Sequence, residues 1–596
     1  MTTRLVPVVL LLVTGPAAAQ PATGWRNSLK PQGPPGPELT LVEAGRPRYA
    51  IGLPPRPTPP ERKAADDLRH WLAEITGGRL DASSAPPAGP VIRIATDPQF
   101  ADEEYRIALD GPDLVLTGGP GRGVVNAAYA LLEEDLGCRW YVRGEARLPH
   151  AATLRVAPVP RRYAPRLKLR DPYYACAFDP DWSLRNRTNA PGAAVSEAAG
   201  GHVDYGGLFV HTHHALVPPE KYFKDHPEYF QVNAAGKRVP VQLCPSNPEV
   251  RKIATAAVVD VLKKNPHAEI VSVSKVDVQD VCHCPECTKL RTAEGSDMAN
   301  QLLLVNEVAA AVEKQFPRVT VDTLAYLETL PIPKTARPRK NVAVRLCNDT
   351  VGVWGRPFTP AERCPVADLI RAWAAHDRIY VWDYTVNFSH YLAPMPNLDV
   401  IAANIRFWVK NKAEGVMLEG GYEGPAERDE LKSWVAAKLM WDPTRDENEL
   451  AVDFIYGHYD PAAPAIAEYE KLLADTAKAH AAELAAPAGG IRYGVDHPFL
   501  SREFLDRATA IFARAAALAG GDAATVRKVE RAELPILYVR AARGPAFVGK
   551  DYAAVLDRYE RIARREGVRT LAEGAGNFES QLAAWRKQLA DTNSRP

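Results

Sequence analysis

Between residues 160 and 440 short apolar runs alternate with amphipathic helical stretches, and this rhythm restricts the fold more than any other feature. Eight candidate strands appear: "RLKLRD" (166–171), "GLFVHT" (207–212), "VPVQLC" (239–244), "EIVSVS" (269–274), "VTVDTLAY" (319–326), "NVAVRL" (341–346), "RIYVWDY" (378–384) and "EGVMLEG" (414–420). Helical stretches such as "NPEVRKIATAAVVDVLKK", "MANQLLLVNEVAAAVEKQF" and "DVIAANIRFWVKN" separate most of them. Near-continuous apolar strands alternating with helices predict an α/β fold, a (β/α)8 TIM-type barrel over 159–444. A doubly wound open sheet competes, but it usually opens with a Gly-rich phosphate turn, and none follows the first strand.

On either side the pattern changes. Residues 38–158 mix strands with two helices, a small α/β domain. In "ERKAADDLRHWLAEITG", Ala65, Leu68, Trp71, Leu72 and Ile75 share one helical face and Gly77-Gly78 ends the helix. Residues 445–596 read as wholly helical. The start, 1–19, reads as a signal peptide: Arg4, an apolar run, then Ala17-Ala18-Ala19, followed by a Pro/Gly-rich lead-in over 20–37. The expectation is an exported, periplasmic or extracellular protein. No segment offers the ~20 apolar residues of a membrane span, and a net charge of +1 gives no footprint for nucleic acid.

If the middle is a barrel, functional side chains belong at the C-terminal strand ends. Reading past those ends gives Arg170, Asp171 and Tyr173; His211, His213 and His214; Lys275 and Asp277; Tyr326 and Glu328; Arg345, Asn348 and Asp349; Trp382, Asp383, Tyr384 and Asn387; Glu419 and Tyr422. Carboxylates, aromatic faces and cations together are what glycosidic bond hydrolysis needs: two carboxyl groups across the bond and rings against which sugars stack. The histidines could ligate a metal, but no carboxylate partner is fixed by spacing, and a polar sugar-binding rim is the simpler reading.

Eight cysteines in an exported chain favour disulfides. Cys282, Cys284 and Cys287 follow the fourth candidate strand, and Cys244 ends the third. A disulfide from Cys244 to one of the three, a structural zinc on all four, and free thiols stay open. No catalytic cofactor is expected.

"QLCPSNPEV", "VSVSKVDVQDVCHCPECTKL", "VDTLAYLETLPIPKTARPRKNVAVRLC" and "IYVWDYTVNFSHYLAPMPNLDVIAANIRFWV" occur in this order. Together they resemble the domain-of-unknown-function family 4838, and "GPDLVLTGGPGRGVVNAAYALLEEDLGCRWY" resembles the domain preceding the barrel in α-glucuronidases (glycoside hydrolase family 67) and β-hexosaminidases. The resemblance implies a glycosidase architecture acting on a carbohydrate. By position in α-glucuronidases, it implies Asp277 as acid and Asp383 and Glu419 as base candidates. This chain carries Asp277 where that pattern has Glu, and Glu328 is the alternative acid. Arg170, Arg345 and Lys275 would meet a uronate carboxylate; Asp171, His211, His213, Tyr326 and Asn387 would line the site, and Trp382, Tyr384 and Tyr422 would hold sugar rings. A carbohydrate-binding protein without catalysis is the alternative.

Overall fold

The computed structural model describes residues 24–85, 89–347, 354–355, 358, 365–484 and 490–593. The signal segment 1–19 and the mouth candidates Asn348 and Asp349 lie outside the described residues. Among the described residues no helix is long and apolar enough to cross a membrane.

Six parallel strands form the centre. Their order in the sheet is Leu169–Asp171, Gly415–Glu419, Arg378–Tyr384, Val342–Cys347, Thr320–Ala325 and Ile270–Ser272. The earliest strand thus pairs with the latest, the wrap of a TIM-type barrel. Irregular backbone spans the remaining gap. The Asn189 N–H donates to the Arg170 carbonyl at 3.3 Å, and that of Val203 to Asn189 at 3.0 Å. The Asp204 carbonyl accepts from Glu269 and Ile270, and that of Leu208 from Ser272 at 2.9 Å.

Two expected strands are therefore corrected. Residues 207–212 run beside Ile270–Ser272 without forming a strand, because Gly206, Gly207 and His211 take positive φ (57°, 87° and 53°) and break the pleat. Residues of 239–244 belong instead to Arg238–Leu243, an antiparallel hairpin partner of Phe230–Val232 outside the ring. Pro240 suits such an edge, and only the end of that strand is buried.

The N-terminal sheet has six strands, of which only Tyr105–Asp110 runs against the rest; the edge strand Arg161–Tyr163 pairs antiparallel with it. The helix Pro59–Thr76 buries Ala65, Leu68, Trp71, Leu72 and Ile75 as the spacing predicts. It starts with a Thr58/Glu61 capping box and stops at Gly77 in the left-handed region. The second helix, Gly123–Ala130, runs into a π-helical turn, Leu131–Asp135, that buries Glu133 and Glu134. The C-terminal part is helical apart from a small hairpin, Thr570–Ala572 with Ala575–Asn577.

Buried charges tie the three parts together. Glu133 accepts from Arg187 and Lys438, and Glu134 pairs with Arg187 at 2.6 Å. Asp453, on the helix Glu447–His458, takes a bidentate contact from Arg139 and hydrogen bonds from Trp25, Ser28 and Tyr141. Arg139 and Asp453 are both fully buried, so removing one partner strands a charge in the interior. Asp453→Ala should lower unfolding free energy by about 3–5 kcal/mol, read as a fall in the urea midpoint. Asp475→Ala, which breaks the exposed Lys471 pair, should leave that midpoint essentially unchanged.

Candidate active site

Side chains along each parallel strand alternate between the lumen and the helix layer. Val344, Leu346, Ile379, Val381, Val416 and Leu418 pack outward in the main core. The residues between them point inward. The lower lumen holds Leu169, Ile270, Ala343 and Tyr380. One same-face step higher lie Asp171, Asp322 and Arg345. Arg345 pairs with Asp322 in a fully buried bridge and lies 5.2–5.9 Å from the ring centres of Tyr205, Phe209 and Trp382. One cation thus serves two carboxyl groups. Burial, opposed by Arg345, pushes Asp171 up to about 7, and neither of its oxygens finds a hydrogen-bond partner among the described residues. Nε and Nη1 of Arg345 are equally unsatisfied.

Above this layer is the mouth. Glu419, at the last position of Gly415–Glu419, is 5% exposed and accepts the Trp382 indole N–H at 2.7 Å. Register places Tyr384 directly beside it. Tyr173, Phe209, Trp382 and Tyr384 form a run of nearly parallel rings, with successive centroids 6.3 Å apart and planes within 28°. Tyr422 leans on Tyr173 at 5.4 Å. Its hydroxyl pKa is raised, first by burial and then by Glu419, Glu423 and Glu573.

The opposite rim follows Ile270–Ser272. Lys275 pairs with Glu328 at 2.8 Å, and its ammonium lies 4.7 Å from the Tyr326 ring centre. Asp277 is exposed and lies beside Tyr326, whose pKa is raised by burial and then by that carboxylate. Val276 between them is held on both sides: Gln242 donates to its carbonyl at 2.7 Å and accepts its N–H at 3.0 Å, while Tyr326 donates to the same carbonyl. His211 contacts the Lys275 carbonyl through Nδ1 at 2.9 Å.

Four expected site residues sit elsewhere. Asp383 has the parity of Val381 and turns to the helix layer; packing there raises it to about 7, opposed by hydrogen bonds from Tyr384 N–H and Asn404 on the helix Leu398–Lys410. Arg170 likewise points out, bound to the Arg187 and Leu167 carbonyls and to Glu103. Asn387 donates to Tyr493 O at 2.8 Å and anchors the loop to the C-terminal helices. His213 is buried, which pushes it down to about 3, and makes no side-chain hydrogen bond among the described residues. Phe209, Asp322 and Glu573 join the site without having been named by the sequence. Parity along "VDTLAY" identifies Asp322 once Tyr326 is placed in the lumen, whereas Glu573 arrives from a distant hairpin and leaves no local signal.

The four cysteines meet as a cluster. Cys244, Cys282, Cys284 and Cys287 are buried and unbridged, with all four sulfurs within 4.8 Å of one another. Of the three readings the sequence leaves open, the Cys244 disulfide is not formed: the Cys244 and Cys284 sulfurs are 3.6 Å apart.

The Asp171 shift has a testable sign. Between about 3.8 and about 7 the folded chain keeps a proton on Asp171 that the unfolded chain has lost, so this group's contribution to stability falls as pH rises through that window. Asp171→Asn removes that loss. Its stability relative to wild type should climb from about pH 4 to about pH 7, by at most ~1.4 kcal/mol per pH unit. Parallel urea-midpoint curves for the two proteins would contradict the assignment.

Residues 140–471 match the family described as Domain of unknown function (DUF4838). No curated protein matches the sequence. Among solved structures, a family GH115 4-O-methyl-α-glucuronidase with specificity for decorated arabinogalactans is similar over 92% of this chain and 79% of its own, at 13% identity and a TM-score of 0.57. That likeness is one of fold. A GH138 enzyme targeting pectin rhamnogalacturonan II covers 91% of this chain and 98% of its own, at 11% identity and a TM-score of 0.42. The GH20 β-N-acetylhexosaminidase from Streptomyces coelicolor A3(2) covers 74% and 96%, at 15% identity and 0.42. The family match takes in all six strands of the ring and more than half of the sequence, and the chain belongs to the DUF4838 family.

Proposed function

We propose that this protein is an exported glycoside hydrolase that cleaves a carbohydrate chain with two carboxyl groups at the barrel mouth. The observation that carries the reading is Glu419, a buried carboxylate held by the Trp382 indole beside a run of aromatic rings, with Asp277 exposed on the opposite rim. Rings spaced in this way offer apolar faces to sugar C–H surfaces, and the indole N–H fixes the Glu419 carboxylate in one orientation.

In this reading Glu419 acts at the anomeric centre and Asp277 protonates the leaving oxygen. For that task the exposed Asp277 carboxyl must be covered by the bound sugar and set against the leaving oxygen. Glu328 is the rival acid, but its pairing with Lys275 favours a supporting role. Arg170 points away from the lumen and Arg345 lies in the layer below the mouth, so a uronate carboxylate would be met by Lys275 at the rim, in competition with Glu328. A binding protein without catalysis is the second reading. The outward turn of Asp383 favours it, because that turn removes one of the carboxylates expected over the bond.

Release of reducing sugar from neutral and uronate-bearing oligosaccharides tests the choice. Glu419→Gln should lose at least ~10²-fold in activity while remaining folded, whereas Asp383→Asn should stay within ~3-fold of wild type. The reverse ranking would move the chemistry to the strand Arg378–Tyr384. Binding to a glycan without release of sugar would select the second reading.

A further inference from the structure

We propose that Cys244, Cys282, Cys284 and Cys287 form a tetrahedral thiolate site for one zinc ion, which fixes the rim loop carrying Lys275 and Asp277. The donor set comes from two places. Cys244 immediately follows the strand Arg238–Leu243; the other three lie in a C-x-C-x2-C run at the start of the helix Pro285–Glu294, with Cys284 at its N-cap and Cys287 in its first turn. Zinc–sulfur bonds of about 2.3 Å in a tetrahedron place the sulfurs ~3.8 Å apart. Here Cys244 and Cys284 are 3.6 Å apart, and all four sulfurs fall within 4.8 Å. A disulfide would draw two of them to about 2.05 Å and leave the others behind.

The surroundings suit a charged thiolate centre. The Val232 N–H points at Cys282 Sγ at 3.5 Å, and the Ser246 hydroxyl lies 3.2–3.5 Å from the sulfurs of Cys244, Cys284 and Cys287. Arg291 holds the Cys282 carbonyl at 3.1 Å, and Asn300 holds that of Cys287 at 2.9 Å. Such outer contacts orient ligands and offset the net charge of a zinc tetrathiolate. Binding exchanges four thiol protons for one Zn²⁺, with no redox step, so occupancy falls as the solution is acidified.

The consequence for the mouth runs through one strand. Gln242, two residues before Cys244, clamps both backbone groups of Val276, which lies between Lys275 and Asp277. The metal would thus tie the hairpin to the far end of the same loop at Cys282.

Metal analysis of the full-length protein should find one zinc per chain. Replacement by cobalt should give the intense visible bands of tetrahedral thiolate coordination. Cys284→Ser should lose the metal; Ser246→Ala, a milder change that spares every ligand, should keep one zinc per chain and bind it ~10-fold or more weakly. Chelation should speed amide exchange across 238–244 and 274–284 relative to the N-terminal sheet. Wild-type protein that takes up neither zinc nor cobalt, or a non-reducing peptide map with disulfides among these four residues, would overturn the site. Unchanged exchange after metal removal would overturn its role at the rim. None of these readouts depends on the protein hydrolysing a sugar.

Discussion

Side-chain alternation in the parallel ring is the constraint on which the rest of this structure depends. A strand whose two faces are both buried must send every second side chain into a lumen and the others under a helix layer. In Arg378–Tyr384 this sends Tyr380, Trp382 and Tyr384 inward and Ile379 and Val381 under the helices. The same parity decides chemistry: Glu419 and Asp171 enter the lumen, while Asp383 and Arg170 cannot.

The middle layer of the lumen is polar where a structural barrel would be packed with branched aliphatics. Asp171, Asp322 and Arg345 occupy a layer in which each unsatisfied atom carries a desolvation cost. The outer apolar layer shared by the ring and the C-terminal helices offsets this cost, and the buried Glu133–Arg187–Lys438 and Arg139–Asp453 contacts fix how the segments meet. Those contacts join the three parts, so the mouth is shaped by segments far apart in sequence. The loop after Arg378–Tyr384 is bonded to Ile491, Leu571 and Tyr538, and the hairpin beyond brings Glu573 toward Tyr422.

Much of this was legible in the sequence. Six of eight strands, the amphipathic face of Pro59–Thr76 and the barrel class follow from apolar periodicity, which reports burial directly. The two failures have physical causes. Positive φ at Gly206, Gly207 and His211 is a local backbone choice that composition in "GLFVHT" does not reveal. "VPVQLC" carries enough valine for a strand, but Pro240 and half-exposed neighbours place it on an edge. Site residues were harder to read, because nearness to a strand end says nothing about face. Asp383 and Glu419 both sit at strand ends, and only parity against Val381 and Met417 separates them.

A structure of the protein with a bound oligosaccharide is the most direct test of the claim that the mouth is the sugar site. A sugar ring should lie against Tyr173, Tyr422 or Tyr384, with polar contacts to Glu419 on one side and to Lys275 or Asp277 on the other. A sugar seated instead in the groove at the opposite end of the barrel, lined by Lys168, Glu269, Arg318 and Arg378, with an empty mouth, would contradict it.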